Sequence, residues 1–328
     1  MNENYLKQII RDFQDKKVVV WGDLILDEYL YTTTSRISRE APVLITEFES
    51  NEFKPGGAGN VVMNIKTLGA VPIPVGFIGK NLDGEIIKDI LKSNHISSDY
   101  LIELDNYRTP KKSRILSGGE NTKKQQVLRI DTFNRSQISE DDYLQLEDMI
   151  SQLLKQFDYL VISDYLLKSV TPASFKRIRQ KHPSTCVILD SRYNLHDFKG
   201  LSIATPNEPE IKQVFPSHPF YTDKDFLDAG YELMNLLDAR GIVLKRGHQG
   251  MIVFERDKTP FKIDIHGSAN IVDVTGAGDT VIAVSSLSLA AGADLVSAAR
   301  LSNIAAGIAV MKEGAYPIHK DELEYELG

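Results

Sequence analysis

Apolar runs that break off at an acidic or amide residue recur along this chain, and they alternate with segments of helical period. Lys17-Val18-Val19-Val20-Trp21 ends in Gly22-Asp23, with Asp27 close behind. Tyr159-Leu160-Val161-Ile162 ends in Ser163-Asp164, and Cys186-Val187-Ile188-Leu189 ends at Asp190. Ser202-Ile203-Ala204-Thr205 leads into Pro206-Asn207-Glu208-Pro209-Glu210. Unbroken apolar runs of this length are what a strand buried on both faces needs, and strands interleaved with helices make a parallel, doubly wound α/β sheet. Ligands of such sheets lie beyond the carboxyl ends of the strands. If the strands are parallel, Asp27, Asp164, Asp190 and Asn207 share one polar, acidic rim, although Asp23 and Asp27 also read as turn residues or helix caps.

A second feature bears on chemistry. Ile271-Val272-Asp273-Val274-Thr275-Gly276-Ala277-Gly278-Asp279-Thr280 runs from apolar residues through a glycine-rich turn into a long apolar helix. The amides of such a turn and of the first helical turn have no intrahelical acceptor, so they form a nest for a phosphate or a developing oxyanion. Asp279 then has two readings: a carboxylate that complements the helix dipole, or a base that takes a proton from an attacking hydroxyl. Lys54-Pro55-Gly56-Gly57-Ala58-Gly59-Asn60 is another glycine turn ahead of a helix, explained by close packing almost as well as by phosphate binding. Lys245-Arg246-Gly247-His248-Gln249-Gly250 reads as a hairpin turn between Gly241–Leu244 and Met251–Phe254 that could face a nucleotide phosphate; His248 itself reads as an exposed polar residue.

Two blocks escape the alternation. About 30–54 and 101–130 have strand character and no helical period, as expected of a small β-sheet lid inserted in the main body. The second block is crowded with Lys111, Lys112, Arg114, Lys123, Lys124 and Arg129, most of which a solvated face explains. Strands are expected at 71–78, and helices at 1–17, 82–93, 140–157, 172–181, 221–238, 277–292 and 294–311. No linker or repeat divides residues 1–328, so a single domain is expected. With 38 basic against 45 acidic residues the net charge is -7, which disfavours a nucleic-acid partner. The polar N-terminus and the absence of a long apolar span point to a cytoplasmic protein with no membrane partner. The one cysteine, Cys186, reads as core.

In their order along nearly the whole chain, the Gly56 to Asn60 turn, the Pro206 to Glu210 segment, the Lys245 to Gly250 turn and the Asp273 to Asp279 loop resemble the ribokinase, or PfkB, family of carbohydrate kinases. The resemblance implies a ribokinase-like fold, ATP and Mg2+. It implies Asp279 as the base and the amides of Gly276, Ala277 and Gly278 as the anion hole. By the same likeness Asn207 and Glu210 organise phosphate and magnesium, the ion being held through water. Lys245, Gly247, Gly250, Thr275 and Asn303 serve the nucleotide, and Asp27, Gly56, Gly57, Asn60, Arg114 and Asp164 serve the sugar.

Within the family, Gly22 to Asp27, Thr34 to Val43 and Gln125 to Asp131 look like the heptose 7-phosphate kinases of lipopolysaccharide precursor synthesis. That subfamily often carries an adenylyltransferase domain as well, and this chain reads as the kinase part standing alone. The implied activity is phosphorylation of the anomeric hydroxyl of a heptose 7-phosphate; another sugar, sugar phosphate or nucleoside, or a non-catalytic ligand-binding relative, are the alternatives. Arg36, Arg39, Lys111, Lys112 and Arg114 are candidates for the acceptor's phosphate. The subfamily's Asp-Tyr-Gly-Lys-Gly is here Asp164-Tyr165-Leu166-Leu167-Lys168, and its Asp-Pro-Lys is Asp190-Ser191-Arg192, departures that bear on which sugar is bound. Lid edges left open favour a homodimer paired through the lid.

Overall fold

The computed structural model describes residues 3–119, 122–133, 136–267 and 271–328. Met1 and Asn2 of the expected first helix lie outside them. In chain order the elements begin α1 (Glu3–Arg11), β1 (Lys17–Gly22), β2 (Leu24–Ile37), β3 (Leu44–Gly57), α2 (Ala58–Thr67), β4 (Val71–Gly79), α3 (Leu82–Ser93), β5 (Leu101–Leu104), β6 (Lys111–Gly118) and β7 (Gln125–Thr132). They continue with α4 (Glu140–Leu153), β8 (Tyr159–Asp164), α5 (Pro172–Lys181), β9 (Cys186–Ser191), β10 (Ile203–Ala204), α6 (Glu208–Val214), α7 (Asp223–Leu236), β11 (Gly241–Lys245), β12 (Met251–Glu255), β13 (Phe261–Ile263), α8 (Ala277–Ala290), α9 (Leu295–Ala309) and α10 (Lys320–Tyr325).

Nine strands form the main sheet in the order β13-β12-β11-β10-β9-β8-β1-β4-β5, parallel except where β12 and β13 join antiparallel at one edge. Successive side chains of a strand face opposite ways, and the sequence uses this to feed two cores. Val18, Val20, Val161, Ile188 and Val243 pack with α1, α2, α3, α8, α9 and α10 on one face. Val19, Trp21, Leu160, Ile162, Leu189 and Leu244 pack with α4, α5, α6 and α7 on the other. This is the doubly wound body expected from the alternation. Helix α8 is apolar nearly all round and is buried along most of its length, as such a helix must be.

The second sheet has the order β3-β2-β6-β7, with β2 antiparallel to β3 and parallel to β6. It starts closer to the body than the sequence suggests, at Leu24, and β3 runs to Gly57. The lid's second portion starts at Lys111, not near 101: Leu101 to Leu104 pairs parallel with β4 and lengthens the main sheet. Lacking a helical period, that block gave no sign of where body strand becomes lid strand. The helix expected to reach 157 ends at Leu153, and β13 and α10 were too short to read from periodicity. No helix among the described residues is long and apolar enough to cross a membrane.

Candidate active site

Gly276 stands at φ 81°, a left-handed position that suits glycine, and turns the chain into α8. The first helical bond runs from the Thr280 amide to the Gly276 carbonyl at 2.9 Å. Asp279 therefore lies in the first turn, buried to 4% exposure. Its carboxylate accepts from Asn60 Nδ2 at 3.0 Å and from the Tyr165 hydroxyl at 2.8 Å. Burial raises its pKa to about 6; the bonds from Asn60 and Tyr165 oppose that shift and the charge of Asp190 adds to it. Two donors fix the orientation of this carboxylate. Asn60 is presented by α2, which follows Gly57 at φ 58°; a side chain there would press on the Asp23 carbonyl at 2.6 Å.

Tyr165 comes from a loop held on several sides. Asp23, wholly buried at the end of β1, accepts from the Tyr165 amide at 2.8 Å, the Leu167 amide at 3.0 Å and the Ser169 amide at 2.8 Å. The Trp21 indole donates to the Ser169 carbonyl at 2.8 Å, and the Tyr143 hydroxyl to the Lys168 carbonyl at 2.9 Å. Leu166 and Lys168 stand at φ 62° and 83°, where the subfamily pattern has glycines. Such φ values in branched or long side chains cost about 1–3 kcal/mol each and persist only when the surroundings impose them. The Asp23 hydrogen bonds supply that constraint.

Two cavities meet at the head of α8. One, of about 520 Å³, has apolar walls from Ile265, Ile271, Val281, Ala306 and Val310, and Asn303 and Gly307 on α9. Its polar lining includes Lys245, Asn207 and the backbone of Gly247 and Gly250. The other, of about 480 Å³, is lined by Asp27, Arg114, Asp164, Asp190, Glu210 and Asp279, with the lid's β2 and β6 on one side. Asn207, Lys245, Val274 and Gly278 belong to both, so a group passing from one cavity to the other passes the nest and Asp279.

Most residues singled out from sequence converge here, with adjustments. Asn60 reaches the site through Asp279, and its side chain is not among those lining either cavity. Gly56 lines neither cavity; a Cβ on it would press into the Asp27 carboxylate, so it makes room for Asp27. Thr275 faces the acidic cavity rather than the apolar one, its amide donating to Asp273 Oδ1 at 2.9 Å. The Ala277 amide donates to the Val274 carbonyl at 3.3 Å and is thus engaged within the turn; its use in an anion hole requires that bond to open. Asn303 donates to the Asp264 carbonyl at 2.8 Å from the wall of the apolar cavity. Asp27 pairs with Arg114 at 2.6 Å, and Lys245 with Asp190 at 2.9 Å. Asp164 accepts from the Ser191 hydroxyl at 2.7 Å.

Asn207 caps α6. It accepts from the Glu210 amide at 2.9 Å, while its own amide and Nδ2 donate to Glu210, both at 2.8 Å. Burial, then the charge of Asp190, pushes Glu210 up to about 7. Among the described residues no three His, Cys, Asp or Glu side chains gather to hold a metal unaided. The Asn207–Glu210 pair fits an ion that keeps its waters and takes its remaining oxygens from phosphates, the habit of Mg2+. Tyr165 and Arg192, which also line the acidic cavity, were not proposed as site residues: a tyrosine after a strand-end aspartate carries no sequence signal of its own.

The sequence matches the model of the "pfkB family carbohydrate kinase" over residues 15–321. It is 33% identical over 319 residues to "Bifunctional protein HldE" of Vibrio atlanticus, covering 97% of this chain and 65% of that protein. The protein of the same description from Desulfatibacillum aliphaticivorans is 34% identical over 320 residues, covering 96% and 64%. The chain thus spans just under two thirds of the length of these relatives. Among solved structures it is similar to Arabidopsis thaliana ribokinase complexed with ribose and ATP, with a TM-score of 0.72 and 19% identity over 96% of this chain and 99% of that one. It is also similar to Escherichia coli phosphofructokinase-2 in complex with substrates and products, with a TM-score of 0.76 and 20% identity over 95% and 98%. The chain belongs to the pfkB family of carbohydrate kinases. Its fold is ribokinase-like.

Proposed function

We propose that this kinase phosphorylates the anomeric hydroxyl of a heptose 7-phosphate, giving the 1,7-bisphosphate. The observation that carries the reading is Asp279, oriented by Asn60 and Tyr165 at the junction of an apolar and an acidic cavity. Adenine fits the apolar cavity, with Asn303 and Gly307 beside the ring and Lys245, Gly247 and Gly250 toward the phosphates. The sugar fits the acidic cavity, where Asp27 and Asp164 are placed to accept from its hydroxyls. Asp279 takes the proton as the acceptor oxygen bonds to the γ-phosphorus; the bond to the β-phosphate oxygen breaks, and ADP leaves. Asn207 and Glu210 would hold a magnesium ion through its waters, and the ion would neutralise charge on the phosphates when bound. Amides of the Gly276 to Gly278 turn serve the developing charge, that of Ala277 once its bond to the Val274 carbonyl opens.

The heptose assignment rests on the Gly22 to Asp27, Thr34 to Val43 and Gln125 to Asp131 likeness and on the extent of the match to the HldE proteins. Leu166 and Lys168 in place of glycine, and Arg192 in place of lysine, favour a different sugar phosphate as the second reading. A screen of free and phosphorylated sugars and nucleosides with ATP tests both: turnover confined to nucleosides or unphosphorylated sugars removes the heptose phosphate. Nucleotide binding with no transfer to any acceptor points to a non-catalytic relative.

The base works only when ionised. With a pKa raised to about 6, Asp279 loses activity as pH falls through that value, so kcat/KM should climb from pH 5 and level off above about 7. Tyr165→Phe removes a bond that holds the pKa down, so the acid limb should move to higher pH. An unmoved limb counts against Tyr165 as a partner of the ionised base.

We also propose a cytoplasmic homodimer paired through the lid. Phe48, 64% exposed, and Ile37, Leu44, Leu128 and Ile130 are exposed apolar side chains on the lid strands β2, β3 and β7, which a second copy could cover. Sedimentation at micromolar concentration should give a dimer, and Phe48→Glu with Leu128→Glu should shift it to monomer. A monomeric wild type refutes the pairing.

A further inference from the structure

We infer that Lys112 and Arg192, both beside the Tyr165 ring, form the subsite for a phosphate carried on the far end of the acceptor. The inference rests on the kinase reading above and assigns that phosphate to particular side chains.

The acidic cavity is lined by five cations, Lys112, Arg114, Arg129, Arg192 and Lys245. Three are matched by carboxylates: Arg114 to Asp27 at 2.6 Å, Arg129 to Asp131 at 2.8 Å and Lys245 to Asp190 at 2.9 Å. Lys112 and Arg192 have no carboxylate partner among the described residues. They are nonetheless gathered at one place: the Lys112 ammonium lies 5.1 Å and the Arg192 guanidinium 4.5 Å from the centre of the Tyr165 ring. Burial lowers the pKa of Lys112, Arg192 and Arg114 lower it further, and Asp27 and Asp279 only partly oppose them. The two like charges repel, and although the charges of Asp279 and Asp190 favour the charged Arg192, no carboxylate of the described residues lies within ion-pair distance of either cation, which leaves the place open to an anion.

The geometry also says which end of the acceptor belongs there. The Tyr165 hydroxyl donates to Asp279, so the cation pair lies one aromatic ring away from the base. A sugar whose reacting hydroxyl meets Asp279 therefore has a route to this pair for a group at its other end. Lys245 and Gly278 line both cavities and so mark the way in for the γ-phosphate, whereas Lys112 and Arg192 line the acidic cavity alone. Other lid cations are excluded as primary contacts. Lys111 is tied to Asp83 at 2.9 Å, Arg114 is spent on Asp27, and Arg36 and Arg39 do not line the cavity. A guanidinium at 192 adds what a lysine lacks, a planar fork for two phosphate oxygens.

The test compares kcat/KM for a phosphorylated acceptor and for the same sugar without its phosphate, in wild type, Arg192→Met, Lys112→Met and Arg192→Lys. Each methionine variant should raise KM for the phosphorylated acceptor about 10- to 100-fold, the loss expected of one charge-assisted hydrogen bond, and shrink its advantage over the free sugar equally. Arg192→Lys should restore part of it. An advantage unchanged in both methionine variants, or a wild type that prefers the free sugar, overturns the subsite while leaving the kinase reading intact. Calorimetric titration with inorganic phosphate, in the presence of a saturating non-hydrolysable ATP analogue that fills the nest, decides the matter without turnover. Wild type should bind phosphate and Arg192→Met should bind it at least tenfold more weakly; equal binding overturns the proposal. If phosphate binds as expected but no sugar phosphate is turned over, the kinase substrate reading fails and the anion site stands.

Discussion

Asp279→Asn should lower kcat by about 10²- to 10⁴-fold, the range that a positioned general base supplies, while nucleotide affinity stays within a fewfold of wild type. The substitution keeps the shape of the side chain. It removes the charge and the proton-accepting oxygen, and leaves an amide that the Tyr165 hydroxyl can meet by turning to accept. Asn60 keeps a carbonyl oxygen to donate to, so the head of α8 should stay in place. The apolar cavity proposed for the nucleotide is lined by Ile265, Asn303 and Gly307 away from the change, and Asp279 itself is not among its lining residues. Measured together, single-turnover transfer and binding of a non-hydrolysable ATP analogue separate loss of chemistry from loss of binding. A folded variant with near-normal turnover would remove Asp279 as the base and leave it as a helix-end carboxylate.

The body of the fold was legible because its signals are local. A run such as Val18 to Trp21 is apolar at every position, which only a strand covered on both faces tolerates, and its alternate residues do enter two different cores. Gly276 and Asp279 were legible for a similar reason: a left-handed turn, a helix start and a first-turn carboxylate are neighbours in sequence. Leu101 to Leu104 was not legible, since strand character alone does not say whether a strand pairs with β4 or with the lid. Tyr165 was hidden for a deeper reason. Its role depends on Asp23, more than 140 residues earlier, and on Asp279, more than 110 later, and no periodicity records contacts at that separation. Asn60 was found but read as a sugar contact, because spacing gives proximity to a site and not the atom a side chain addresses.

Asp23→Ala should be the most destabilising single change near the site. It strips three amides, those of half-buried Tyr165 and Leu167 and of buried Ser169, of the wholly buried acceptor they share. An orphaned buried donor costs about 1–3 kcal/mol, so the three together reach several kcal/mol, a large part of the 5–15 kcal/mol typical of a folded protein. The melting temperature should fall by roughly 10 °C, read by calorimetry. Activity should fall further than stability explains, because Leu166 and Lys168 at φ 62° and 83° have no reason to stay there once the anchor is gone. Relaxation of that loop carries Tyr165 away from Asp279. The strain offers an internal control: Lys168→Gly, which accepts the same φ at no steric cost, should recover part of the lost stability in the Asp23→Ala background and do little harm alone. If Asp23→Ala melts within a degree or two of wild type and keeps its kcat, then the loop is held by Trp21 and Tyr143 instead, and Asp23 serves neither stability nor the placement of Tyr165.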